Sequence, residues 1–147
     1  MSPLVRIANT ADRPHCEQLE QQAQGGNAGA RGAAAFFAEQ PVSFISDDSN
    51  GFTLVAEIDG VVVGLTTVQI SNVAGTNVAT VVRVFVTALA RRVGVGDALI
   101  NAAKHHARDA NCLRIDALSL PGDRDTKNLY ERNGLTARLI VATSALD

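Results

Sequence analysis

The stretch from Val84 to Asp97 reads Val-Phe-Val-Thr-Ala-Leu-Ala-Arg-Arg-Val-Gly-Val-Gly-Asp. An apolar strand pattern ends in it, a loop with Arg91 and Arg92 follows, and Gly94 and Gly96 lead into a helical pattern. The first turn of a helix carries backbone N–H groups without intrahelical partners and a partial positive charge. Glycines there admit an anion to the backbone and arginines add charge, so the segment has the composition of a phosphate cradle. It is not a P-loop, because Gly-x-x-x-x-Gly-Lys-Ser/Thr is missing, and Leu99 stands where the dinucleotide fingerprint needs its third glycine. Taken alone, Gly-x-Gly at a helix start is equally consistent with a tight turn flanked by solvated arginines.

Other chemistry-bearing residues are sparse. Tyr130 is the only tyrosine, and its bland reading is an aromatic on a helix face. His105 and Asp109 form an i, i+4 pair, but two ligands do not make a metal site. His15 and Cys16 are neighbours on a helical stretch and cannot face each other as a nucleophile and its base. Arg83 is unusual within the apolar run Thr80–Val86: it either faces a substrate cleft or has a buried partner.

The elements that must position these groups follow from periodicity. Leu4–Ala8 alternates and predicts a first strand, and Thr10 and Asp12 offer cap oxygens for a helix over Arg13–Gln24. Four glycines in Gln24–Gly32 predict a flexible loop, and Ala33–Glu39 a short helix stopped before Pro41. Phe52–Ile58 and Val61–Ile70 flank Asp59-Gly60 as a hairpin, and a further turn falls in Val73–Asn77. Thr80–Val86 predicts a strand covered on both faces. Gly94–Asn111 is the clearest amphipathic helix, and Leu113–Leu120 a strand. Asp123–Arg132 is a helix capped by Asn133-Gly134, and Leu135–Thr143 a last strand. A meander joined to a β-α-β crossover makes one α+β domain over residues 1–147, with no repeat.

Composition sets bounds on partners. At 147 residues, 46% hydrophobic and 19% charged, the chain has material for one core. Aromatics are only 4%, too few for the stacking platforms of single-strand nucleic-acid binding. Thirteen Lys+Arg against fifteen Asp+Glu, a net charge of -2, argue against dedicated binding to nucleic acid or membrane. Two cysteines exclude a disulfide framework and a four-thiolate metal site. Residues 1–13 contain no apolar signal core, and no apolar run approaches the ~20 residues of a membrane span, so a cytoplasmic location is expected.

Three ordered segments together carry more than the glycine loop does. Arg91-x-x-Gly94-x-Gly96 resembles the Arg/Gln-x-x-Gly-x-Gly/Ala signature of the GNAT superfamily of acetyl-CoA-dependent acyltransferases. Val55–Gly64 (Val-Ala-Glu-Ile-Asp-Gly-Val-Val-Val-Gly) is similar to that family's second hairpin. Asn128–Leu135 (Asn-Leu-Tyr-Glu-Arg-Asn-Gly-Leu) is similar to its C-terminal Leu-Tyr-Glu-x-x-Gly-Phe segment. The resemblance covers the whole chain, most strongly Val55–Leu135. It implies a GNAT-type fold, a central mixed and mostly antiparallel twisted sheet flanked by helices.

It also implies a reaction: transfer of an acetyl group from acetyl-CoA to a primary amine of a small molecule or peptide, without a metal. The pyrophosphate would sit on Arg91, Arg92, Val93, Gly94, Val95, Gly96 and Asp97, and the pantetheine arm beside Val84, Phe85 and Val86. Asp123 and Asn128 match further cofactor-side positions. Tyr130 falls where the family's general acid protonates the leaving thiolate. Two departures stand out: Asp123 replaces a usual Asn, which favours a helix-capping role, and Arg92 replaces a usual glycine. No general base is assigned; Asp116, Glu57 and Asp47-Asp48 are candidates. A homodimer is a family-level expectation, with the apolar last strand available as its edge. The alternative on the same fold is a non-catalytic acyl-CoA-binding module.

Overall fold

The computed structural model describes residues 2–44 and 47–146. The chain forms β1 (Leu4–Ile7), α1 (Arg13–Asn27), α2 (Ala33–Glu39), β2 (Asp47–Asp48), β3 (Gly51–Ile58), β4 (Val61–Val73), β5 (Thr76–Val86), α3 (Val95–Asp109), β6 (Arg114–Ala117) and α4 (Arg124–Arg132). The sheet order is β1-β3-β4-β5-β6, with β2 paired to β3. Every pairing is antiparallel except β5 with β6, which the α3 crossover makes parallel. Helices cover both faces. Val95, Leu99, Ile100 and Ala103 of α3 pack with Leu54, Ala56, Val68, Ala79 and Val81 on one face. Cys16 and Leu19 of α1 pack with Val55, Leu65 and Phe85 on the other.

The feature that shapes the rest is a β-bulge. On β5, Arg83 pairs with Thr67 and Val81 with Val68, so Val82 is an extra residue without an opposite number. An extra residue reverses the alternation of side chains along the strand. Val81 points into the α3 face, and Val84 and Val86 also lie against that core, while Phe85 lies on the α1 face. Arg83 therefore lands on the α1 face, where Glu20 receives it, instead of in the apolar core under α3. The ladder to β6 stops at the same place: its last backbone contacts are Val81 with Ala117 and Leu118 N–H donating to the Val81 carbonyl at 3.0 Å. Beyond this point β5 and β6 part.

Two glycines let α3 and α4 come close to the sheet and to each other. A Cβ on Gly64 would lie 3.1–3.2 Å from the Phe85 carbonyl and the Leu99 and Val95 side chains. A Cβ on Gly96 would lie 3.1 Å and 3.2 Å from the two methyls of Leu129. The glycine at 96 thus serves the packing of α4 on the first turn of α3.

Several sequence expectations are corrected. The stretch over Gln24–Gly32 is not all loop: α1 runs on to Asn27 through Gly25 and Gly26. Ala23 is buried and the Asn27 side-chain amide donates to the Ala23 carbonyl, which offsets the roughly 1 kcal/mol a glycine costs in a helix. Asp12 does not cap α1. Asn9 caps the turn Thr10–Asp12 instead, and Asp12 accepts both terminal nitrogens of Arg6 at 2.7 Å and 2.9 Å. The strand expected over Leu113–Leu120 is confined to Arg114–Ala117 by the parting of the sheet. The last strand over Leu135–Thr143 does not form: residues 135–146 have no regular structure, so the expected dimer edge is absent as a strand. Its apolar run at Leu139, Ile140 and Val141 is exposed, and strand propensity without a paired backbone does not make a strand.

Arg6 holds the Asp12 carboxyl below its ordinary range by hydrogen bonding, against the opposing effect of burial. A lowered carboxylate pKa stabilises the fold fully above the unfolded value near ~4 and loses that contribution as pH falls through the folded value. Asp12→Asn is expected to lower stability at neutral pH by about 1–3 kcal/mol, with the gap to wild type closing only below pH ~4. Denaturant titrations at several pH values measure it. Gly96→Ala should cost about 1–3 kcal/mol by overpacking, and far less when Leu129→Ala has already removed the clashing methyls. An additive double-mutant cycle would show that Gly96 is not there for this contact.

Candidate functional site

Where β5 and β6 part, a cleft of about 1040 Å³ opens, large enough for a cofactor-sized ligand. One side is the free edge of β5. Thr87 N–H donates to the Val63 carbonyl across the β4 ladder at 2.9 Å. Strand parity then turns the Phe85 backbone groups toward β4 and those of Val84 and Val86 toward the open edge. Of the three expected contacts, Val84 and the Val86 N–H thus offer backbone to the cleft, the Val86 carbonyl being taken by Arg91, and Phe85 lines it from the α1 face.

Arg91 is only partly available. Its Nε donates to the Val86 carbonyl at 3.0 Å, and its guanidinium lies 5.4 Å from the Phe85 ring centre. Arg92, in contrast, is exposed, and holds a left-handed φ of 67° where a glycine would be unstrained. Gly94 follows with φ 86° as the residue before α3, and no side chain caps the helix. The first-turn N–H groups of α3 are thereby left toward the cleft, which Gly94, Val95 and Gly96 line. Val93 is exposed and lines a different, apolar depression with Val61 and Leu89.

Asp97 is committed to the fold. Burial disfavours its charge, but Asn133 Nδ2 at 2.7 Å and Arg132 Nε at 3.0 Å outweigh that and hold its carboxyl below the ordinary range. Asp123 is committed as well. It caps α4, accepting from Thr126 N–H at 3.1 Å and from the Thr126 hydroxyl at 2.7 Å, as its departure from Asn suggests. Both still line the cleft, as does the exposed Asn128.

Tyr130 comes from α4 to the point of the fork. Its side chain is 6% exposed, and its hydroxyl donates to the Leu118 carbonyl at 2.8 Å, just past the last residue paired to β5. Burial raises its pKa above the ordinary tyrosine value; the Asp123 charge adds to this and Arg83 opposes it. The hydroxyl is therefore a proton donor throughout the neutral range.

The sheet-side wall is built by Arg83, the residue whose partner the sequence left open. Its Nε and a terminal nitrogen donate to Glu20 at 2.7 Å and 2.9 Å, the same nitrogen donates to the Gln40 carbonyl at 2.8 Å, and the other reaches the Val82 carbonyl at 3.0 Å. The rings of Phe36 and Phe37 lie 5.2 Å and 4.8 Å from the guanidinium. Spacing does not reveal this cluster, because 63 residues separate Arg83 from Glu20. A charge inside an apolar strand was its only signal.

The structure brings none of the base candidates into the cleft. Asp116 pairs with Arg138 and Arg114 beside β6, Glu57 pairs with Arg6, and Asp47 and Asp48 are exposed on β2. Cys16 is fully buried, which pushes its thiol up to about 11 and keeps it inert. Among the described residues no three potential metal ligands come together, and no helix is long and apolar enough to cross a membrane.

Solved structures with this architecture include the following three. A "transcriptional regulator" of Bacillus halodurans C-125 superposes with a TM-score of 0.77 at 21% identity over 99% of this chain and 100% of its own. The ribosomal-protein-alanine N-acetyltransferase of Brucella melitensis biovar Abortus 2308 superposes at 0.72, with 20% identity over 99% and 100% of the two chains. The aminoglycoside N-acetyltransferase AAC(6')-Iy in complex with CoA gives 0.70, with 19% identity over 97% and 100%. At such identities these likenesses establish the shared fold. No curated protein matches the sequence. The model of the acetyltransferase (GNAT) family matches residues 14–135, which include the bulge, the glycine loop and Tyr130, and by that match the chain belongs to the GNAT acetyltransferase family.

Proposed function

We propose that this protein transfers an acetyl group from acetyl-CoA to a primary amine of a small molecule or peptide, with Tyr130 as the acid. The observation that carries the reading is the placement of the buried Tyr130 hydroxyl at the fork of β5 and β6. From there the open backbone edge of Val84 and Val86 leads to the uncapped first turn of α3. The cofactor fits these residues. Helix amides at Val95 and Gly96, with the exposed Arg92, suit its diphosphate, and the strand edge suits the amides of its pantetheine arm. The thioester that acetyl-CoA supplies would lie at the fork.

There the amine nitrogen forms a bond to the thioester carbonyl carbon and the C–S bond breaks, its electron pair leaving on sulfur. Tyr130 gives a proton to that sulfur and regains one from solvent, and the nitrogen sheds its proton to water. Of the carboxylates that line the cleft, Asp97 and Asp123 are engaged in helix contacts and Asp125 is exposed on the first turn of α4, and none is assigned as a base. The acceptor therefore reacts as the neutral amine present in solution. A non-catalytic acyl-CoA-binding module would bind the same ligands and release no CoA.

Binding is checked by thermal melting. Acetyl-CoA and CoA at ~100 times their dissociation constants should each add ~2.7 kcal/mol, a rise of roughly 5 °C or more, and ATP much less. No shift with any of them would remove the cradle assignment. Tyr130→Phe should lower kcat by about 10²–10⁴-fold with the acetyl-CoA melting shift retained. With wild type, kcat/KM should climb with pH in step with the free-amine fraction. The raised Tyr130 pKa places the falling limb above the ordinary value of ~10. A falling limb near pH 8 that persists unchanged in Tyr130→Phe would assign the acid to another group and contradict this role.

A further inference from the structure

We infer that the acceptor is a monoamine with an apolar or aromatic body, and not a polycation; this rests on the reading of the cleft as an acetyl-transfer site. The cleft is lined by two kinds of wall. The cradle loop, α3 and α4 with its capping residue supply charged side chains: Arg91, Arg92, Asp97, Asp123, Arg124, Asp125 and Arg132. The wall made by α1, α2 and the bulge supplies Ala23, Gly26, Asn27, Phe36, Phe37 and Arg83, of which only Arg83 is charged. That one charge is cancelled by Glu20 in a two-pronged pair, and its remaining donors are used by the Gln40 and Val82 carbonyls. Glu20 is equally occupied, by Arg83 and by the Gln24 amide at 3.1 Å. Neither member is free to bind a substrate charge.

What this wall does offer is apolar surface. Phe36 and Phe37 are half-buried and meet edge to face with ring centres 5.4 Å apart. Arg83 lies against both rings, which fixes them in place. The α1–α2 connection reaches the turn before α4: a Cβ on Gly122 would lie 3.9 Å from the Ala30 methyl. An amine approaching the fork from this side would pass between these surfaces. A single-headed amine can lay its hydrocarbon on the two rings and present nitrogen to the thioester. A polycation would bring further ammonium groups against a wall that, among the described residues, has no unengaged carboxylate to meet them, and would lose their hydration without compensation.

The test is a CoA-release assay at saturating acetyl-CoA with phenethylamine, hexylamine, putrescine and spermidine, on wild type, Phe37→Ala and Phe37→Leu. Folding and cofactor binding of each variant are read from its melting shift with acetyl-CoA. The two apolar monoamines should give the highest kcat/KM. Phe37→Ala should reduce it about 10–100-fold for them, Phe37→Leu should restore most of it, and the KM for acetyl-CoA should not move. Higher kcat/KM for putrescine or spermidine would overturn the inference while leaving acetyl transfer intact, as would an unaltered Phe37→Ala profile. Absence of CoA release with every amine, in protein that still binds acetyl-CoA, would overturn the transfer reading and this inference with it.

Discussion

One extra residue in β5 organises the molecule. Val82 has no opposite number on β4, and the reversal it causes has three effects at once. It sends Arg83 to the helix face where a carboxylate awaits it, turns the Val84 and Val86 backbone outward, and coincides with the last contact to β6. Bulges re-aim side chains and end pairing next to binding sites because they do both with a single insertion. Without it Arg83 would share the parity of Val81, and its guanidinium would be directed at the apolar face covered by Leu99 and Ile100.

Everything catalytic in the proposed reading leans on the opening where β5 and β6 part. Tyr130 reaches it because α4 packs close to α3, and α4 packs close because position 96 has no side chain to keep Leu129 away. Asp97 then ties the end of α4 to the first turn of α3 through Arg132 and Asn133. Gly96 and Asp97, which lie in the cradle signature, thus serve helix packing as much as any ligand. The charges that do remain toward solvent at the cradle are those of the loop itself, with Arg92 held in a strained left-handed turn.

Most of the frame was legible from local pattern. The Asp59-Gly60 hairpin, the α3 amphipathic stripe and the Asp123 cap each depend on neighbours within a few residues, and each forms as expected. What was not legible depends on partners far away in the chain. Leu135–Thr143 has strand-like residues but meets β6 through the Arg138–Asp116 pair and not through its backbone. Gly25 and Gly26 read as breakers, yet α1 continues because Ala23 is already buried. The glycine loop could be located but not interpreted alone; only its order with the hairpin and the Tyr130 segment made a family of it. The cluster of Glu20, Arg83 and the two phenylalanines has no sequence signature, since it joins three elements across 63 residues.

The way the two walls are fastened has an evolutionary reading. The cradle side is continuous with the sheet: a strand runs straight into a loop and helix, so a change there disturbs the ladder itself. The opposite wall is fastened by side chains, chiefly one arginine that grips Glu20, the end of α2 and two rings. Such an attachment is modular. Divergence or laboratory selection can exchange residues between Gly25 and Gln40 while Arg83 and Glu20 keep the replacement docked, so on the proposed reading new acceptors are reachable by mutation without re-evolving the half assigned to the cofactor.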